Sequence, residues 1–457
     1  MIPILTPDEM ASVDAAAPEG VETLIDRAGR AVARSATRLL GGTYGRVVNV
    51  IAGKGNNGKD GLVAADVLRG RGVTVRVFDA VLGPAELPPA DLVIDAAFGT
   101  GFRGEWSAPR VGQTPVLAVD VPSGVNALTG SCRPGVLRAD HTVTFQAVKP
   151  GLLFGDGAVL AGQVEIADIG LDVSRATQHL VEPSDVAAWW PQRPVDAHKW
   201  KRAVRVVAGS PGMVGAARLA AEAAARSGAG LVKLSVPGMD ARVRSEIVQQ
   251  RIPNFDWVGD ALSDIARFGS LVIGPGLGRE EYTIASVRQT IVDATVPVVI
   301  DGDGLFAAAW DADGAAPLFV DRGLPTVLTP HDGEYTVLAG GPPAADRVSA
   351  ARQLAADLGC IVLLKGPTTV VADPTGRALL IDRGDERLAT AGTGDVLSGM
   401  IGAVLATGAP ALEGVAAAAW LHADAATRST ATGTLAGDLV DLLPQTISAL
   451  HPAGGTV

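Results

Sequence analysis

Residues 391–399 read AGTGDVLSG, and GTGDVLSGMIGAVLATG (392–408) carries the run on as a glycine-rich turn feeding a long helix of small residues. The first amides of such a helix have no intrahelical partner. They point at one spot, and the helix dipole favours an anion there. Asp395 falls inside that anion hole. On these residues alone two readings are open: a carboxylate that works on a bound anion, or one that caps its own helix.

Working outward, 411–428 reads as a second helix. Upstream, RAVRVVAG (202–209), LVKLSVP (231–237), SLVIGPG (270–276), VPVVIDGDG (296–304), TVLTP (326–330), CIVLLKG (360–366) and TVVADP (369–374) are short β-branched runs that predict strands, with an Ala-rich helix at 213–227. Further back the pattern breaks at 176–200, ATQHLVEPSDVAAWWPQRPVDAHKW, which holds three prolines and two adjacent tryptophans. The boundary is placed there: a first domain over 1–180, a linker over 181–200 and a second domain over 201–457. In the first domain, Thr6 with Glu9 three residues on suits a helix start. A helix is expected near 21–40, strands at 46–53, 73–80, 92–98, 116–122 and 141–147, and a helix at 59–71. Such alternation predicts a parallel sheet covered on both faces, so both halves are expected to be α/β.

The length, 457 residues, independently argues for two or three domains. A net charge of −11 with no basic run argues against a nucleic-acid partner. Cys132 and Cys360 lie far apart without a CxxC context, so neither a disulfide framework nor a zinc site is expected. No apolar window is long enough to span a membrane, and the first residues lack the pattern of a signal peptide. A cytoplasmic protein, and a homo-oligomer, is the expectation.

The chemistry of the first half centres on AGKGNNGKDG (52–61), between a strand and a helix. Gly53, Gly55 and Gly58 fit a dinucleotide fingerprint, with Asp79 ending the next strand. Gly53, Gly58 and Lys59 also fit a P-loop, but Asp60 stands where a hydroxyl is needed for Mg²⁺. A tight turn that needs glycine only for its dihedrals is the plain alternative.

A resemblance narrows these readings. GKGNNGKDG, VIDAAFGTGFRGE (93–105), VDVPSGVN (119–126) and FQAVKPG (145–151) resemble, in order, the loops of the NAD(P)H-hydrate epimerases. Lys59 departs from that pattern, where glycine is usual. AGTGDVLSG resembles the signature of the ribokinase-like superfamily. AGSPGMVGA (208–216), GPGLG (274–278), TPHDGE (329–334) and KGPTT (365–369) resemble the NAD(P)H-hydrate dehydratases within it, with departures at Asp332 and Gly302. The implied fold is two three-layer αβα domains, Rossmann-like then ribokinase-like.

The implied function is repair of hydrated NADH and NADPH: the first domain interconverts the two epimers, and the second dehydrates the S form at the expense of a nucleotide. By this resemblance Asn56, Asn57, Gly58, Lys59, Asp60, Gly99, Thr100, Gly101, Phe102, Arg103, Gly104 and Glu105 hold the hydrated dinucleotide, with Asp120 near the nicotinamide ring as a catalytic residue. Asn57, Asp95 and Ser123 match potassium positions. In the second domain Ala216, Gly276 and His331 contact the hydrate, Lys365, Gly366, Pro367, Thr368, Thr369 and Gly394 hold the nucleotide, and Asp395 is the base. The implied co-substrate is ADP, with ATP open, together with Mg²⁺ and K⁺. Two rivals remain at this point: a vitamin or sugar kinase with a regulatory first half, and a first domain that binds without catalysing.

Overall fold

A computed structural model describes residues 1–310, 314–319 and 322–450. The end of the expected second domain, 451–457, lies outside the described residues. The chain divides into two compact units, Ile2–Gln178 and His179–Val457.

The first unit holds six parallel strands: β1 (Val47–Ala52), β2 (Thr74–Asp79), β3 (Leu92–Ala96), β4 (Val116–Val119), β5 (His141–Phe145) and β6 (Gln163–Ala167). Their order is β2-β1-β3-β4-β5-β6, so the order reverses between β1 and β3. The loops leaving β1 and β3 therefore diverge and open a crevice at the carboxyl edge. The strand β6 has no counterpart in the sequence reading. Its pattern QVEIA is only partly buried, so it lacks the continuous apolar run of its neighbours. Thr6 and Glu9 form the expected capping box of helix Pro7–Ala15.

Helix α1 (Asn56–Gly70) starts directly after β1. The turn into it requires glycine by close approach. A Cβ on Gly53 would lie 1.9 Å from the Ala97 carbonyl oxygen, and one on Gly58 would lie 1.9 Å from the Gly53 carbonyl oxygen. Because both obstacles are backbone, Gly53→Ala is expected to cost about 3 kcal/mol. That lowers the first unit's melting midpoint by roughly 6–12 °C, readable by calorimetry.

The second unit's sheet contains β7 (Ala203–Val207), β8 (Leu231–Ser235), β9 (Val248–Gln249), β10 (Ser270–Ile273), β11 (Val298–Ile300), β12 (Thr326–Leu328), β13 (Ile361–Leu364), β14 (Thr369–Ala372) and β15 (Ala378–Ile381). These run β9-β8-β7-β10-β11-β12-β13-β14-β15, reversing between β7 and β10. From β9 to β13 all pairs are parallel, while β13-β14 and β14-β15 are antiparallel. The short links between those last strands permit only hairpin connections.

Helices α2 (Val214–Arg226) and α3 (Thr393–Leu405) approach closely, because a Cβ on Gly399 would sit 2.1 Å from the Ala220 carbonyl oxygen. Small residues in both helices are thus a packing requirement. Residues 181–200 are partly folded: Pro183–Trp189 is a helix, Trp190 is buried in the second unit's core, and Lys199–Arg202 is a 3₁₀ turn. Proline at the first helical turn starts such a helix rather than forbidding it.

Candidate active sites

In the first unit the loops after β1, β3, β4 and β5 surround a cavity of about 830 Å³. Asn56, Asn57, Asp60, Gly99, Thr100, Gly101, Phe102, Arg103 and Asp120 all line it. Gly58, Lys59, Gly104 and Glu105 do not. Gly58 lies against the backbone of Gly53, Lys59 points to Glu22 at 3.7 Å, and Glu105 pairs with Arg133 at the surface. The second wall is braced by aromatic packing: Phe98 lies 4.4 Å from Phe102 and 5.4 Å from Trp106, whose indole donates to the Ala80 carbonyl at 2.8 Å. Asp79 also lines the cavity, but its Oδ1 accepts the amides of Val81 and Leu82.

Two buried carboxyls, Asp60 and Asp120, and the exposed Asp14 share this cavity with the ammonium of Lys149. Burial, then the charges of Asp120 and Asp14, push Asp60 up to about 8 against the pull of Lys59. Near neutrality Asp60 is therefore mostly a neutral acid. This removes the repulsion a carboxylate at that position would exert on a phosphate. Partial desolvation raises Asp14 too. Asp120 sits at φ +68°, a left-handed backbone that side chains rarely adopt outside functional sites. Its Oδ1 lies 2.7 Å from Lys149 Nζ and accepts the Thr144 hydroxyl at 3.1 Å.

Asp95 and Ser123 meet: Asp95 accepts the Ser123 hydroxyl at 2.6 Å and the Ser123 amide at 2.9 Å, and burial raises its pKa despite these bonds. Asn57 is buried, with its Nδ2 unpartnered.

In the second unit the two loops at the reversal of strand order lie side by side. Gly276 has φ +61°, and a Cβ there would be 3.0 Å from the Cβ atoms of both Ala216 and Met213. Helix α3 opens with Gly392 at φ +93° and has no side-chain cap. Among the described residues no protein group hydrogen-bonds the Asp395 carboxyl, so it does not plug its own helix. Burial, then the neighbouring Asp301, push Asp395 to about 7 against Lys365.

Beneath it is a polar cluster. Asp301 accepts Lys365 Nζ at 2.9 Å, the Ser398 hydroxyl at 2.7 Å and the Thr329 hydroxyl at 2.8 Å. Burial favours a neutral Asp301, but Lys365 and these donors outweigh it and hold its pKa below the usual carboxylate range. Burial opposes the Lys365 charge, yet Asp301 and Glu334 raise its pKa overall. A Cβ on Gly394 would stand 3.5 Å from Lys365 Nζ, which places the first turn of α3 directly over this cluster.

His331 caps helix α4 (Asp332–Ala339), its Nδ1 accepting the amides of Gly333 at 2.9 Å and Glu334 at 3.2 Å. The rest of its ring is exposed. Gly366, Pro367, Thr368 and Thr369 form the β13–β14 hairpin turn that follows Lys365. Arg347 ties this turn to the His331 loop: it donates to both Asp332 oxygens, at 3.0 and 2.8 Å, and to the Lys365 carbonyl at 2.9 Å.

Sequence reasoning missed Asp14, Lys54 and Lys149 in the first site and Asp301, Glu334, Arg347 and Ser398 in the second. Five of these lie inside quoted motifs: Lys54 in AGKGNNGKDG, Lys149 in FQAVKPG, Asp301 in VPVVIDGDG, Glu334 in TPHDGE and Ser398 in AGTGDVLSG. Asp14 and Arg347 carry no comparable signal.

The fold defines a two-domain α/β enzyme with a candidate site at each sheet's reversal of strand order. A family described as NAD(P)H-hydrate dehydratase matches residues 204–449, and one described as YjeF-related protein N-terminus matches 21–86 and 79–151. The chain is 37% identical to the bifunctional NAD(P)H-hydrate repair enzyme of Moorella thermoacetica, over 98% of this chain and 96% of that one. It is 38% identical to the corresponding enzyme of Mycobacterium leprae, over 93% and 92%. The second unit is similar to the crystal structure of an ADP/ATP-dependent NAD(P)H-hydrate dehydratase from Bacillus subtilis co-crystallised with ATP and Mg²⁺: TM-score 0.50, 29% identity, 59% of this chain and 97% of that one. A ribokinase-like protein from Enterococcus faecalis shares the fold, at TM-score 0.52 and 22% identity over 60% and 96%. The chain belongs to the bifunctional NAD(P)H-hydrate repair enzymes, which disposes of the vitamin-kinase reading. Among the described residues no helix is long and apolar enough to cross a membrane.

Proposed function

We propose that the first domain (1–180) epimerises hydrated NADH and NADPH in the 830 Å³ cavity, and that the second (201–457) dehydrates the S epimer at Asp395 using ADP or ATP. The observation that carries the reading is Asp395 itself: a carboxyl pushed to about 7, free of protein hydrogen bonds, in the first turn of α3.

Hydration leaves a hydroxyl on carbon 6 of the nicotinamide ring, and hydroxide is a poor leaving group. Asp395 takes the hydroxyl proton while that oxygen attacks the nucleotide's terminal phosphorus, whose bond to the bridging oxygen breaks and releases the shortened nucleotide, AMP from ADP or ADP from ATP. The free amides of α3 and Lys365 face the phosphates. Phosphate then leaves carbon 6, pushed by the ring nitrogen's lone pair, and a proton lost from the neighbouring carbon restores the dihydropyridine. Ala216, Gly276 and the exposed edge of His331 would receive the hydrate, and the turn Lys365–Thr369 with Gly394 the nucleotide. Mg²⁺ would be carried by the phosphates, with Asp395 as a nearby carboxyl oxygen and Lys365 facing the phosphate charge, and it would supply charge neutralisation there.

In the first domain the amide of Asn57, the carboxylate of Asp95 and the hydroxyl of Ser123 would hold K⁺. These oxygen donors suit a hard cation, and a cation beside the buried Asp95 relieves the burial that raises its pKa.

Incubation with mixed NADHX epimers, Mg²⁺ and either ADP or ATP tests both activities. Absorbance in the reduced-nicotinamide band should recover fully, with one phosphate released per molecule repaired. Net phosphoryl transfer to a stable alcohol product would refute the reading. A smaller effect is expected at Asp332→Ala. Arg347 loses its bidentate partner and holds the nucleotide turn less firmly, so the KM for nucleotide rises about 5-fold, equivalent to about 1 kcal/mol, with kcat little changed.

A further inference from the structure

Lys149 is a lysine buried to 1% exposure in the wall of the first cavity. Its ammonium lies 2.7 Å from Asp120 Oδ1 as an ion pair, and it donates to the Thr144 hydroxyl at 3.0 Å and the Phe145 carbonyl at 2.9 Å. Thr144 donates to the same Asp120 oxygen at 3.1 Å. A buried ion pair is a poor source of stability, since apolar residues of similar volume do as well or better. Its presence here therefore calls for a use.

The geometry supplies one. Two donors fix Asp120 Oδ1, and no hydrogen bond from the described residues reaches Oδ2. The other charged groups on the cavity wall are Asp14, Asp60, Asp79, Lys54 and Arg103. Of all these side chains, Lys149 is the one bonded to Asp120.

We propose that Lys149 is the positioning residue of epimerisation, clamping Asp120 so that its second carboxylate oxygen exchanges a proton with the ring hydroxyl. The inference rests on the cavity being the epimerase site. In the step, Asp120 Oδ2 takes the hydroxyl proton. The bond between carbon 6 and the ring nitrogen breaks as carbon 6 becomes an aldehyde, and Asp120 returns the proton to the nitrogen. Rotation about the bond from carbon 6 to its neighbouring saturated carbon presents the other face, and the reverse sequence recloses the ring as the opposite epimer. Nothing is oxidised or reduced, and no co-reactant is needed.

The test uses the full chain, with a calorimetric melting curve confirming that the first unit of each variant stays folded at the assay temperature. Lys149→Met, which fits the apolar volume, should slow epimer interconversion roughly 10²-fold or more through kcat rather than KM. Lys149→Arg restores a cation beside Asp120 and should recover part of the lost kcat, with KM again little changed. Wild-type interconversion in Lys149→Met would overturn the proposal. So would two folded variants that are equally slow, or a loss carried by KM rather than kcat, since a merely structural lysine behaves that way. If Asp120→Ala itself interconverts epimers at the wild-type rate, the site assignment fails. If Asp120→Ala is slow and Lys149→Met is not, only this inference fails.

Discussion

Asp395→Asn should lower dehydration of the S epimer roughly 10²–10⁴-fold, the loss expected when a positioned general base is removed. Asparagine matches aspartate in shape, and among the described residues no hydrogen bond to the Asp395 carboxyl is there to be broken, so the fold and nucleotide affinity should both persist. The substitution also removes one negative charge facing Asp301, which if anything steadies the cluster beneath. The pH profile gives a second readout. A base must be ionised to act, and burial with the neighbouring Asp301 pushes Asp395 to about 7. The kcat/KM for dehydration should therefore climb as pH rises through about 7 and flatten above it. The residual activity of the asparagine variant should lack that limb. Steady-state rates from pH 5.5 to 9, with calorimetric titration of nucleotide, check both. Near-normal turnover in the variant would remove Asp395 from the chemistry.

How far such a site can be read from sequence depends on how much of it is local. The turn 391–395 is contiguous, so its glycines, its helix start and its carboxylate were visible together, as was the loop 53–60 with the strand before it. What sequence could not give was the partner of each group. Asp301 and Ser398 are 97 residues apart, and Lys365 and Asp301 are 64 apart; they meet because β11 and β13 end at one edge of the sheet. The role of Lys59, a phosphate contact or an outward side chain, is open from its place in a glycine-rich loop; its position on α1 turns it outward to Glu22. His331 shows the reverse. Its motif marks it as a hydrate contact, while the structure also gives its Nδ1 a capping task that any acceptor at a helix start can perform. Strands β6, β9 and β15 have no counterpart in the sequence reading. Val248–Gln249 is too short and exposed to show periodicity, and the antiparallel turn at β13–β14 follows from link length rather than composition.

Asp120 carries the second large expectation, and two substitutions are needed to read it. Asp120→Ala removes the counter-ion of buried Lys149 as well as the proposed proton acceptor. Leaving one charge of a buried pair alone costs about 3–5 kcal/mol, so the alanine variant should melt well below the wild type in its first unit. Asp120→Asn keeps an oxygen to accept from Lys149 and Thr144 and should lose far less stability. Both lose the proton acceptor, so both should slow epimer interconversion roughly 10²-fold or more. The bifunctional chain reports this directly: with mixed epimers, the second domain of the asparagine variant should repair the S fraction at its normal rate and then stall at the fraction left as R. Adding wild-type first domain activity in trans, as the Asp395→Asn chain, should release the stall. A variant that runs smoothly through both epimers would show that the left-handed aspartate at the end of β4 serves the fold and not the reaction.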